Sequence, residues 1–238
     1  MIFLSPVLRT RFPAIGRDFE QFDELVQQHE RRFLSEFIPS EDGDPALTVE
    51  EKALVLLYSA LARARVLTWS IAHCINEQLS AAAYLAVRAH FEMTALLAYI
   101  LRETRKWQSA EITRESYEQT LVRLILATRT PMEEGSPVPE YASAVNVLTM
   151  LPAVDLIYGD ERLHSRFKEA YEWLSEFCHP NMFSHEITGR RREGRRIIFA
   201  PRPEFSESDL HHLIGYANLS LLQFIDCYDF LDDAINAA

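Results

Sequence analysis

Apolar residues recur at helical spacing along most of this chain. From Arg17 to about Ile38, Phe19, Phe22, Leu25, Val26, Phe33, Leu34 and Phe37 form the apolar set. Asp18, Glu20, Asp23, Glu24 and Glu30 supply the polar positions, so the pattern predicts an amphipathic surface helix. Thr48 with Glu51 three residues on is a capping-box signature, which starts a second helix running to about Asn76. Asn76-Glu77-Gln78 is a tight connection, so a third helix from Ser80 to about Trp107 lies antiparallel to the second. Between Leu79 and Leu101 only Arg88 and Glu92 carry formal charge, which predicts a central core helix.

A fourth, more polar helix is expected over residues 110–130 and a fifth near Tyr141–Leu151. Pro152 is expected to break or kink the fifth before it resumes to Tyr158. A sixth runs from Asp160 to about Cys178 and stops at His179, because a residue before proline avoids the α region. Ser206 caps a last long helix. Residues 1–16 read as an irregular lead-in, residues 131–139 as a mobile loop, and the stretch from His179 to His185 as irregular. Arg195–Phe199 is β-prone and Arg190–Gly194 supplies a turn, which predicts a small hairpin between Glu186 and Pro201. The expectation is therefore one all-α domain over residues 1–238. It is an antiparallel bundle of about seven helices with a single β-hairpin near residues 186–201.

Nearly half of the residues are apolar and seven are glycine, which fits a globular helical protein. The formal charge of −11 argues against general nucleic-acid coating. The second and third helices are apolar enough to raise the question of a bilayer, but Arg63, Arg65, Arg88 and Glu92 sit near their middles, so no membrane association is expected. Cys74, Cys178 and Cys227 show no paired CxxC spacing and read as buried thiols. The N-terminal MIFLSPVLRTRF lacks a signal-peptide pattern, so a cytoplasmic location is expected. No cofactor is implied.

Four groups of residues carry candidate chemistry. Arg88 and Glu92 share a helix face, either as a structural ion pair or as an anion fork with its orienting carboxylate. Ser175 and His179 stand four apart at a helix end. A hydrogen bond closing the helix fits them better than a nucleophile pair, because no third orienting group is visible. Either, with Glu92, would be the catalytic candidate. His179, Asn181 and His185 form HPNxxxH, which matches no strong zinc pattern; His179 and His185 with Glu92 or Asp155 are the only metal set worth testing. The fourth is the segment 186–203. Over residues 189–203 six arginines (Arg190, Arg191, Arg192, Arg195, Arg196 and Arg202) against Glu193 give +5, so the rest of the chain carries −16. Such a segment docks on acidic helices of its own chain or a twin, or binds phosphate with Phe199 available for stacking.

VRAHFEMTALL, with Arg88 and Glu92, followed by the Tyr-x-x-Leu-Ser-x-x-x-His-Pro segment (Tyr171, Leu174, Ser175, His179 and Pro180), resembles uncharacterised prokaryotic helical proteins. These are similar to the HEPN superfamily, helical domains of defence and toxin–antitoxin systems, many of them ribonucleases. The resemblance covers about Leu79 to His185. Catalytic HEPN members carry an Arg followed after four to six residues by a His on one helix. This chain has no such pair, Arg65 and His73 coming nearest, which puts metal-independent RNA cleavage in doubt.

The sequence thus points to a binding protein for a phosphate-bearing ligand, an RNA or a nucleotide. Its expected site is Arg88, Glu92, Ser175, His179, Asn181 and His185, with the arm of Arg190, Arg191, Arg192, Arg195 and Arg196. The alternatives are a diverged nuclease or metal-dependent hydrolase using His179 and His185, and a non-catalytic structural or regulatory subunit that self-associates.

Overall fold

The computed structural model describes residues 3–38, 47–126, 144–157, 166–187, 189–199 and 204–237, less the side chains of Glu186 and Arg191. The expected loop at 131–139, the start of the fifth helix, the first turn of the sixth and Arg202 lie outside these residues. The chain is mainly α-helical with one two-stranded hairpin.

Helix α4 (Ser80–Gln108) is the axis of the fold. It packs against α3 (Val49–Asn76), α6 (Val147–Leu156), α7 (Arg166–Cys178) and α9 (Glu207–Asn236). Tyr84, Val87, Phe91, Leu97 and Leu101 are fully buried along it, and burial of each such side chain stabilises the fold by about 1.5–3 kcal/mol. Helix α2 (Gly16–Arg32) lays Phe19, Phe22 and Val26 against α9, and α5 (Arg114–Leu126) buries Tyr117 and Leu121. α3 is the one described helix long and apolar enough to cross a membrane by length and composition. Its Leu57, Leu61 and Ile71 are nonetheless buried in the core.

The caps explain where these helices begin and end. Glu51 donates its amide to Thr48 Oγ1 (3.1 Å) and its carboxylate accepts from the Thr48 amide (2.8 Å), the reciprocal pair its sequence predicts. Ser206 caps α9 by accepting from the Asp209 amide at 3.1 Å. Gln78 turns the corner between α3 and α4 at φ 58°. There the Leu79 amide donates to Cys74 and the Gln78 amide to Ile75, a Schellman ending built without glycine. The same device ends α4, with Ala110 at φ 60°.

Several boundaries differ from expectation. The lead-in is not irregular: it forms α1 (Pro6–Arg11) and a 3₁₀ turn (Pro13–Ile15), strapped down where Asp23 Oδ1 accepts the amides of Phe3 and Leu4. α2 stops at Arg32, short of Ile38. The backbone turns extended at Phe33, and the rings of Phe33 and Trp69 each lie 4.2 Å from the Arg65 guanidinium, which fixes the chain there. α6 runs through Pro152 rather than breaking, and Pro152 stands on its solvent-exposed side. The stretch after His179 is also not irregular. Asn181 and Ser184 form a reciprocal cap that starts α8 (Met182–Glu186).

The hairpin pairs β1 (Arg190–Glu193) with β2 (Arg196–Phe199), so Arg190–Glu193 is strand and the turn is Gly194-Arg195. Gly194 holds φ 59° at the first turn position, where a two-residue hairpin favours glycine.

Candidate functional site

Arg88, Glu92 and Ser175 are brought together, and Tyr171 joins them. Arg88 and Glu92 project from one face of α4 and Tyr171 and Ser175 from one face of α7, each pair four residues apart. The Arg88 guanidinium donates through Nε to Ser175 Oγ (3.1 Å) and through Nη2 to the Tyr171 hydroxyl (2.8 Å). That hydroxyl donates in turn to Glu92 Oε1 (3.0 Å), and Arg88 Nη2 lies 3.6 Å from the same carboxylate oxygen. Ser175 completes the set by donating to the Tyr171 carbonyl at 2.8 Å.

These residues pair with each other and also face a cavity. A space of about 460 Å³ has Arg88, Glu92 and Tyr171 as its polar wall and Met93, Leu96, Leu124 and Met150 among its apolar ones. This is the size and make-up of a small-molecule pocket. Burial holds the Tyr171 hydroxyl above its usual range, with Glu92 adding to the rise and Arg88 opposing it. Tyr171 therefore stays protonated at neutral pH and works as a donor–acceptor link between cation and carboxylate. Cys178, one turn beyond Ser175, is also raised by burial, against the pull of Arg88, and remains a thiol.

The other expected residues do not enter this group. His179 is exposed; its amide, not its imidazole, bonds to Ser175, donating to the carbonyl at 3.2 Å. The expected Ser175–His179 side-chain bond is replaced, because Arg88 and the Tyr171 carbonyl already use the Ser175 hydroxyl. Asn181 caps α8 and donates to Glu176 Oε2 (2.8 Å), so its part is structural. His185 is exposed at the far end of α8. Asp155 is buried and accepts the Phe167 amide at 3.3 Å. Among the described residues no group of three or more His, Cys, Asp or Glu side chains could hold a metal ion.

Sequence reasoning passed over Tyr171 and Cys178 as site residues. Tyr171, Ser175 and Cys178 recur at i, i+4 and i+7, and that shared face with the Arg88–Glu92 spacing opposite was the available signal.

The arm stands apart from the pocket. Among the described residues Arg190, Arg192, Arg195 and Arg196 meet no carboxylate at ion-pair distance. Arg192 Nε donates to the Gly194 carbonyl at 3.0 Å. Phe199 is opposite Arg190 and Ile197 opposite Arg192. Both apolar side chains are solvent-exposed, Ile197 by 61% and Phe199 by 69%. At its root, Ser80 Oγ donates to the Ile187 carbonyl at 2.7 Å, and Arg88 lies about 12 Å further along the same helix.

Comparison of the chain with protein-family models, with curated proteins and with solved structures finds no match.

Proposed function

We propose that this chain is a binding protein for a phosphate-bearing ligand, RNA foremost, held by the arginine arm with the Arg88 cavity near its root. One observation carries the reading: the arm's described arginines meet no described carboxylate at ion-pair distance, and Arg190 and Arg192 stand opposite the exposed Phe199 and Ile197. A cation that only solubilised the surface would not require arginine throughout. Guanidinium forks suit phosphate oxygens, and an exposed ring offers a face to a base. The −16 carried outside residues 189–203 makes the arm the strongest concentration of positive charge in the chain. The meeting of Arg88, Glu92, Tyr171 and Ser175 gives the Arg88 cavity a fixed polar wall near the arm's root.

The test replaces Arg192, Arg195 and Arg196 with glutamine together and follows a labelled RNA oligomer by fluorescence anisotropy. Affinity should fall at least roughly tenfold, the effect of losing several phosphate contacts. Arg63→Gln, an exposed cation on α3, should leave it unchanged. RNA bound equally by the triple variant and the parent overturns the reading.

The exposed apolar residues and the acidic body favour a second reading, in which the arm docks on another copy of the chain. Deleting residues 190–199 would then lower the molar mass in solution, and an unchanged mass contradicts it.

A further inference from the structure

A second cavity lies beyond the first along the contact between α4 and α6, and shares no lining residue with it. It is a half-open depression of about 420 Å³ between the last three turns of α4, the turn at Ser109–Glu111 and the end of α6. Ala98, Leu101 and Ala153 lie at its base and are fully buried, so the apolar surface it offers is that of Leu156 and Ile157 at the end of α6. Leu156 is a wall that is 55% exposed, a large apolar surface at the end of a core helix.

The rim has the opposite character. Arg102, Arg105 and Lys106 stand around it. Arg102 Nε and Lys106 Nζ both donate to one oxygen of the nearly buried Glu103, at 2.8 and 3.1 Å. One carboxylate therefore serves two cations. Glu111 on the same rim accepts from Ser109 Oγ at 2.7 Å, and Arg105 meets no carboxylate among the described residues. Arg102 lies over the Tyr99 ring at 4.6 Å and Arg105 near that of Phe230 at 5.8 Å, so both guanidiniums are held in place by ring faces. Three cations against Glu103 and Glu111 leave one positive charge, in a chain whose net charge is −11.

We infer that this cavity binds an aliphatic monocarboxylate of medium chain length. The single surplus charge matches one carboxylate, and arginine forks fit its two oxygens. The walls are aliphatic, and no aromatic ring is among the described lining residues, so a nucleobase has nothing to stack upon. The chain lies along Leu156 and Ile157 while the head meets Arg105 and Lys106 at the mouth. This site is independent of the arm and of the Arg88 cavity, and its success or failure does not bear on them.

Calorimetric titration with hexanoate, octanoate and decanoate tests it. Each added methylene should tighten binding about two- to four-fold as apolar surface is buried, and decanol should bind at least roughly tenfold more weakly than decanoate. Arg105→Gln combined with Lys106→Gln should weaken all three acids by a similar factor. Leu156→Ser should weaken decanoate most and flatten the dependence on chain length. All three positions reach solvent, so these variants keep the fold. The inference is overturned by any of three results: no saturable binding of decanoate, equal binding of decanol, or acids bound equally by parent and variants.

Discussion

At the scale of single residues, Tyr171 is the member on which the pocket depends. Its hydroxyl is the only group in the described set that touches both Arg88 and Glu92, at 2.8 and 3.0 Å. Without it the two charges keep only their 3.6 Å approach, with side chains 26% and 31% exposed, so solvent screens much of what remains. Tyr171→Phe should lower stability by about 1 kcal/mol, read as a lower urea midpoint with the slope unchanged. An unshifted midpoint would mean that water replaces the hydroxyl at no loss. The pair itself was legible because two charges in a long apolar run must find partners. The placement of His179 and His185 outside this group was not legible, because nothing in HPNxxxH fixes which way a histidine faces.

At the scale of elements, the ends of α3 and α4 hold a testable conformational load. Both use a left-handed residue that is not glycine, Gln78 and Ala110. Ala110 is exposed and its Cβ meets the ordinary left-handed penalty of about 1–2 kcal/mol. Ala110→Gly should therefore raise stability by roughly 0.5–1 kcal/mol, seen as a higher thermal midpoint. Gln78→Gly should gain less, because the Gln78 side chain accepts the Phe205 amide (3.1 Å) and donates to Ile75 (3.2 Å). Equal gains at both sites would contradict this. Caps with a local signature, Thr48 with Glu51 and Ser206, were readable in the sequence. The end of α2 was not, since the Phe33–Arg65–Trp69 stack that stops it joins residues far apart in the chain. α8 escaped because its cap pairs Asn181 with Ser184 rather than with an acidic residue.

At the scale of the whole molecule, the core contains a pair of buried histidines. His29 and His90 are both buried where α2, α4 and α9 meet, with ring centroids 5.6 Å apart and the Phe224 ring beside each. His29 Nε2 faces the Leu221 carbonyl at 3.4 Å and His90 Nδ1 meets Ser220 Oγ at 2.8 Å. Burial, above all, draws His29 down to about 4 and draws His90 well below 6.5. Folded, both are neutral at pH 6, whereas the unfolded chain takes up protons from about 6.5 downward. Their contribution is thus complete above about pH 6.5 and is lost as pH falls toward 4. The thermal midpoint should drop between pH 6.5 and 5, and His29→Phe should make that drop shallower. An identical pH profile for the variant would contradict the assignment.

The same scale carries the central claim, that an arginine-rich arm on an acidic body binds phosphate. The claim is tested most directly by the slope of log Kd for a single-stranded RNA oligomer against log salt, between roughly 50 and 200 mM. Four phosphate contacts by the arm predict a slope of magnitude about 3, and replacing Arg192, Arg195 and Arg196 with glutamine should bring it to about 1. A slope near zero, or one that the replacement leaves unchanged, would contradict the account.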